Sequence, residues 1–147
     1  MFKRTLCILF RCKNIKITNK NDYIQILNFL EKNTKYIELL QLIDDNESNF
    51  IIEKYNQLLI TKKNVFNWND SGAKGVVYKF DIKFSDKEKI FNDLRKINSF
   101  FYNTWDNKLG ETVETTEFGY MNIAFFDSKG KLLFYTITHE GIAWIQH

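Results

Sequence analysis

The chain has 147 residues, with 21 lysines and arginines against 18 acids, three Trp, seven Tyr and fourteen Phe, 44% apolar residues and no proline. A chain of this length makes one domain and buries about 68–70% of the surface its unfolded form exposes, so it needs no disulfide or structural metal to hold a core. The aromatic content excludes a disordered or fibrous protein, and a net charge of +3 lacks the clustered basicity of a dedicated nucleic-acid binder.

Along the chain, Thr5 to Phe10 is β-branched and apolar enough for a strand, continuing through Ile15 and Ile17, which share one face. The apolar run Leu6 to Phe10 follows Lys3 and Arg4 but is shorter than the roughly 7–15 residues of a signal-peptide core, and no run approaches the ~20 residues of a membrane span. Cys7 and Cys12 match neither a redox pair nor a zinc set, and an odd spacing puts them on opposite faces of an extended segment. Two free thiols fit a reducing compartment, so a cytoplasmic protein is expected.

Asn21-Asp22 offers a helix N-cap, followed by Ile24, Ile26, Leu27 and Leu30 at helical spacing. Residues 34–43 read two ways: Tyr36, Leu40 and Ile43 fit a helix, while Tyr36 to Leu40 also serves as a strand. Ile51, Ile52, Tyr55, Leu58 and Leu59 form a helix-like stripe, with a strand ending in Leu58 to Thr61 as the alternative. The Asn-, Asp- and Gly-rich stretch from Phe66 to Gly75 reads as a loop. It leads into a strand over 76–84, in which Val76, Tyr78, Phe80, Ile82 and Phe84 alternate with Val77, Lys79, Asp81 and Lys83, one face buried and the other mostly wet.

Ser85 and Glu88 have the spacing of a capping box, and the helix they open, from 86 to about 102, carries Ile90, Phe91, Leu94, Ile97 and Phe101 on one stripe. The end is a β-meander of Tyr120 to Phe126, Leu132 to Thr138 and Ile142 to Ile145, the first two joined by Asp127-Ser128-Lys129-Gly130. The expected architecture is a single α+β domain over 1–147. The meander and the strand at 76–84 would make an antiparallel sheet with helices packed on one face.

Candidate chemistry is sparse. His139-Glu140 pairs an imidazole with a carboxylate, and a small enzyme using them with Tyr120 is one alternative. Adjacent residues at a strand end point to opposite sides, however, and His139 and His147 do not have HExxH spacing, so an interface or structural role is preferred. No nucleophile elbow or phosphate loop is present, and the sequence implies no metal and no cofactor. The basic start, Lys3, Arg4, Arg11, Lys13 and Lys16 with Phe2 and Phe10 interleaved, makes a nucleic-acid-binding module the other alternative; the plainer reading is a lysine-protected strand edge.

The segment 104–120 stands apart. It is long, lacks an apolar period, and holds Asp106, Glu111, Glu114 and Glu117 with only Lys108 opposing, flanked by Trp105, Phe118 and Tyr120. Apolar anchors beside a negative rim divide affinity from steering, as protein-binding loops do. A solvated acidic loop with core aromatics at its ends reads equally well.

The block Thr115 to Ile123, then Phe126-Asp127-Ser128-Lys129-Gly130, then Thr136-Ile137-Thr138-His139-Glu140-Gly141, resembles the closing strands of small bacterial immunity proteins, the antitoxins of polymorphic-toxin and contact-dependent growth inhibition systems. The resemblance implies a cytosolic α+β domain without enzymatic activity that binds the C-terminal domain of one toxin and blocks its active site or substrate path. The partner-binding residues expected on this reading are Trp105, Asp106, Glu111, Glu114, Glu117, Phe118, Tyr120, His139 and Glu140.

Overall fold

The computed structural model describes residues 12–15, 20–45, 49–97, 104–106, 111–113, 121–138 and 142–146. Nine strands and three helices follow in the order β1 (Cys12–Ile15), α1 (Lys20–Asn33), β2 (Tyr36–Leu42), α2 (Phe50–Lys54), β3 (Leu59–Trp68), β4 (Ala73–Asp81), α3 (Phe84–Lys96), β5 (Thr104–Asp106), β6 (Glu111–Val113), β7 (Asn122–Phe126), β8 (Leu132–Ile137) and β9 (Ile142–Gln146), with a 3-10 turn at Asn56–Leu58. Among the described residues, seven strands form one sheet in the order β1-β9-β8-β7-β2-β4-β3, every neighbouring pair antiparallel, while β5 and β6 pair with each other. The chain is thus α+β with an antiparallel sheet, and the meander and β4 belong to that sheet with β2 between them.

The central strand explains the ambiguity of residues 34–43. In β2, Ile37 and Leu39 enter the core beneath the helices while Leu40 enters a second core on the opposite face, so both faces are apolar and alternation disappears. A strand, with no helix, is what results. The expectation of a mostly wet second face on β4 is corrected by the same core: Val77 is buried there with Leu40, Trp68, Ala124, Tyr135, Ile137 and Trp144.

The helices pack on the first face. Tyr23, Leu27 and Leu30 of α1 and Ile90, Phe91 and Leu94 of α3 are buried at helical spacing against Ile37, Phe80, Ile123 and Phe134. Phe91, Phe125 and Phe134 form a chain of rings with centroids 5.9 Å apart at each step. Among the described residues no helix is long and apolar enough to cross a membrane.

Several expected boundaries move. α1 begins at Lys20, so Asn21-Asp22 lie inside its first turn and do not cap it. β4 ends at Asp81, and α3 begins at Phe84 with Lys83 at the N-cap position and no side-chain cap. Phe84, assigned from alternation to the buried face of the strand, is 96% exposed: the strand's period was carried one step past the turn into the helix. Residues 50–60 hold three short elements sharing one apolar stripe: α2, capped where Asn49 Oδ1 accepts from the Ile51 amide at 2.9 Å, then the 3-10 turn, then β3. β3 itself runs to Trp68 and β4 starts at Ala73, so the loop expected over 66–75 shrinks to a tight turn at 69–72. The helix expected to run to about 102 ends at Lys96, where Ile97 turns extended at its C-cap, and the strand expected at 5–10 lies outside the described residues.

Polar contacts lock α1 to the end of α3. Tyr23 Oη donates to the Leu94 carbonyl at 2.6 Å, and Lys20 Nζ donates to the carbonyls of Arg95, at 2.5 Å, and Ile97. These oxygens belong to the last turn of α3, where carbonyls lack intrahelical partners and a cation is favoured. The Arg95 guanidinium returns to α1, donating to Asn28 Oδ1 at 2.9 Å and to Glu31. Tyr23→Phe is expected to lower stability by about 1–2 kcal/mol, because a buried carbonyl loses its donor while the ring's packing is retained. Denaturant unfolding beside the conservative control Lys32→Arg, on exposed surface, checks this.

Where the β7–β8 ladder runs out, side chains replace it. The register is paired through Ala124–Phe126, and beyond it Thr138 N donates to Asn122 Oδ1 at 2.8 Å, Ile123 N to Thr136 Oγ1 at 3.1 Å and Thr138 Oγ1 to the Met121 carbonyl at 2.7 Å. The turn below matches its sequence signature: Asp127 Oδ1 accepts from the Lys129 and Lys131 amides, both at 2.9 Å, and Gly130 takes a φ of +81°.

Candidate partner-binding site

The acidic segment contains a structural element that its lack of periodicity hid. Thr104-Trp105-Asp106 and Glu111-Thr112-Val113 form a two-stranded antiparallel ribbon, with Thr104 opposite Val113, Trp105 opposite Thr112 and Asp106 opposite Glu111. Three residues per strand are too few for a period-two pattern to register, although Thr, Trp and Val suit strands. The ribbon brings Trp105, Asp106 and Glu111 of the expected site together and sets two acidic positions directly across one ladder. Glu114, Glu117, Phe118, Tyr120, His139 and Glu140 lie outside the described residues, as do Lys3, Arg4, Arg11 and Lys16 of the basic start.

A second group of residues was missed by sequence reasoning. Trp68, at the end of β3, is register partner to Ala73, far along β4 from Lys79, the residue opposite Glu38. Its indole N–H nonetheless donates to Glu38 Oε1 at 3.0 Å and its ring meets Tyr135 edge-on with centroids 6.1 Å apart. The β3–β4 hairpin therefore curls over the second face of the sheet, helped by the register shift between Val65 and Trp68. Tyr135 stacks in turn on Trp144 at 5.2 Å. The Tyr135 hydroxyl is buried without a hydrogen-bond partner, and burial first, then the Asp70 carboxylate, pushes its pKa well above the ordinary phenol value. These aromatics come from strands distant in sequence, so no local signal could have joined them.

The hairpin tip is held by its own polar side chains. Asn69 and Asp70 have φ of 49° and 57°, Asn67 Oδ1 accepts from the Gly72 amide at 2.7 Å, and Ser71 Oγ donates to the Trp68 carbonyl at 2.6 Å.

The chain matches no family model, no curated protein and no solved structure. Function rests on geometry and chemistry alone.

A polar cluster lies away from these surfaces. Between α2 and α3, Asp93 accepts from Lys54 Nζ at 2.7 Å and from Tyr55 Oη, with Lys96 Nζ 3.6 Å away. Burial alone would raise the Asp93 pKa, but the hydrogen bonds from Lys54 and Tyr55 and the nearby lysine charges outweigh it and hold the carboxylate below its usual range. The Tyr55 hydroxyl is pushed upward, by burial first and then by Asp93. This is an ion-pair network tying two helices, with its carboxylate committed to its cations. No group of three or more His, Cys, Asp or Glu suited to a metal occurs among the described residues.

Proposed function

We propose that the chain is an immunity protein, working in the cytoplasm of the cell that makes the toxin, that binds and neutralises the C-terminal domain of a cognate toxin by protein–protein contact and without turnover of its own. The observation that supports this most is the β5–β6 register, which sets Asp106 directly opposite Glu111. Like charges at directly opposed positions destabilise a ladder, and a cationic partner relieves that repulsion. Glu114 and Glu117 extend the same acidic run toward Phe118 and Tyr120, and Trp105 stands on the ribbon beside Asp106. A nuclease is the favoured toxin class, because an enzyme that handles phosphodiesters presents a basic cleft in which carboxylates can stand in for phosphates.

The test uses the toxin domain encoded immediately upstream of this gene, co-purified with the full chain. Reversing Glu111, Glu114 and Glu117 together to Lys is expected to lower the association rate by about 10-fold or more, and the wild-type rate is expected to fall as salt rises from 50 to 500 mM. An unchanged affinity in the triple variant would remove the acidic segment from the interface while leaving immunity standing. A chain that neither binds the neighbouring toxin nor protects cells from it would end the immunity reading.

A further inference from the structure

We infer that β3 is a strand-addition site for an acidic, extended segment of a partner protein, a surface separate from the β5–β6 ribbon and independent of the toxin reading. β3 closes the sheet at one side among the described residues, with β4 its single ladder partner, paired at Leu59, from Thr61 to Val65 and at Trp68. Backbone amides and carbonyls on its outer side are therefore free to pair with another chain, which is how extended peptides dock on sheet edges. Residues 60–64 are all exposed, and no other described strand pairs with this edge.

Charge and apolar surface choose the occupant. The strand carries Lys62 and Lys63 and no acid, and Lys74 stands near its far end on β4. Two copies of β3 paired antiparallel would crowd these lysines together, so self-association is disfavoured, and the same charges welcome Asp or Glu on an added strand. Lysines alone would be ordinary protection of an edge. Phe66 and Ile60, however, are 82% and 52% exposed on the same strand. An edge meant only to repel would not leave two large apolar side chains in water. Val65 and Phe66 also line an open cleft of about 320 Å³ that runs inward from β3 across β4 to the end of β2. Asp45 lies in that cleft and Asp70 at the hairpin tip, whereas Glu38 is engaged by Trp68; the stretch 60–66 itself is basic.

The probes are three synthetic ten-residue peptides: five Val-Glu repeats, five Val-Lys repeats, and the Val-Glu peptide N-methylated at alternate residues. The Val-Glu peptide is expected to bind and to slow hydrogen exchange of the amides at 60–66. N-methylation is expected to abolish both effects. The double variant Lys62→Glu/Lys63→Glu, at exposed positions, is expected to bind the Val-Glu peptide about tenfold more weakly and to prefer the Val-Lys peptide. Equal binding of both peptides by the wild type, or binding without protection at 60–66, would overturn the proposal. So would a dimer in sedimentation whose 60–66 amides are protected without any peptide, which would assign the edge to a second copy.

Discussion

Gly75→Ala is expected to destabilise the protein by about 3 kcal/mol or more, or to prevent folding altogether. A Cβ at this position would lie 2.0 Å from the Gln41 carbonyl oxygen and 2.9 Å from its carbon, and both are backbone atoms that no rotamer change can move aside. Gly75 is the residue where β4 passes between two neighbours, paired with Leu42 on β2 and Val65 on β3. Relief of the clash has to separate β2 from β4, and with it the seam joining the β3–β4 hairpin to the rest of the sheet. Gly72→Ala is the matched control: open space surrounds its Cβ, and the cost is confined to a φ of +77°, about 1 kcal/mol. Urea unfolding of the two variants separates close approach from backbone strain, and equal losses would contradict the packing account.

Trp68→Ala is expected to cost about 3–5 kcal/mol, the range for deleting a large buried aromatic. Trp68 is only 4% exposed although it sits at a hairpin end, where side chains usually face water. Its removal takes away the edge-on contact with Tyr135 and the donor to Glu38, and it opens the second core to solvent. Trp68→Phe should recover much of the packing while leaving Glu38 without the indole, so the difference between the two variants measures the hydrogen bond, about 1–3 kcal/mol for an acceptor that is charged. Phe66→Ala, two residues away and exposed, is expected to change stability by less than about 0.5 kcal/mol. A loss at Phe66 comparable to that at Trp68 would mean that the hairpin does not curl as described.

Legibility in the sequence followed how many faces of an element are buried. α3 buries one stripe and exposes another, and β4 mixes Val77 with Lys79 and Asp81 on its second face, so periods of 3.6 and two could be read. β2 is buried on both sides, and its apolar residues, interrupted by Glu38 and Gln41, fit a helix as well as a strand. β3 failed for the opposite reason: its middle is exposed and polar, and its end, Asn67-Trp68, merges into the Asn- and Gly-rich turn. The meander was legible because β7 and β8 are joined by a turn with its own sequence signature, Asp127 to Gly130. For the candidate site, composition pointed to the acidic segment but could not find the ribbon inside it. The Trp68–Tyr135–Trp144 cluster was invisible because it is assembled from β3, β8 and β9.

The position of β2 carries a kinetic consequence. One side of this strand pairs with β4, reached through α2 and a single hairpin, but the other pairs Tyr36 with Phe126 and Leu40 with Asn122. Closing that second ladder requires nearly the whole intervening chain to be gathered, so it carries the larger loop entropy and forms late. Until β7 arrives, β2 presents a bare edge whose residues Ile37, Leu39 and Leu40 are fully buried in the native fold. This is the interval in which wrong partners compete for the strand. The yield of native protein is thereby tied to how fast the C-terminal strands dock, and a cell that holds their docking back accumulates aggregate at unchanged native stability.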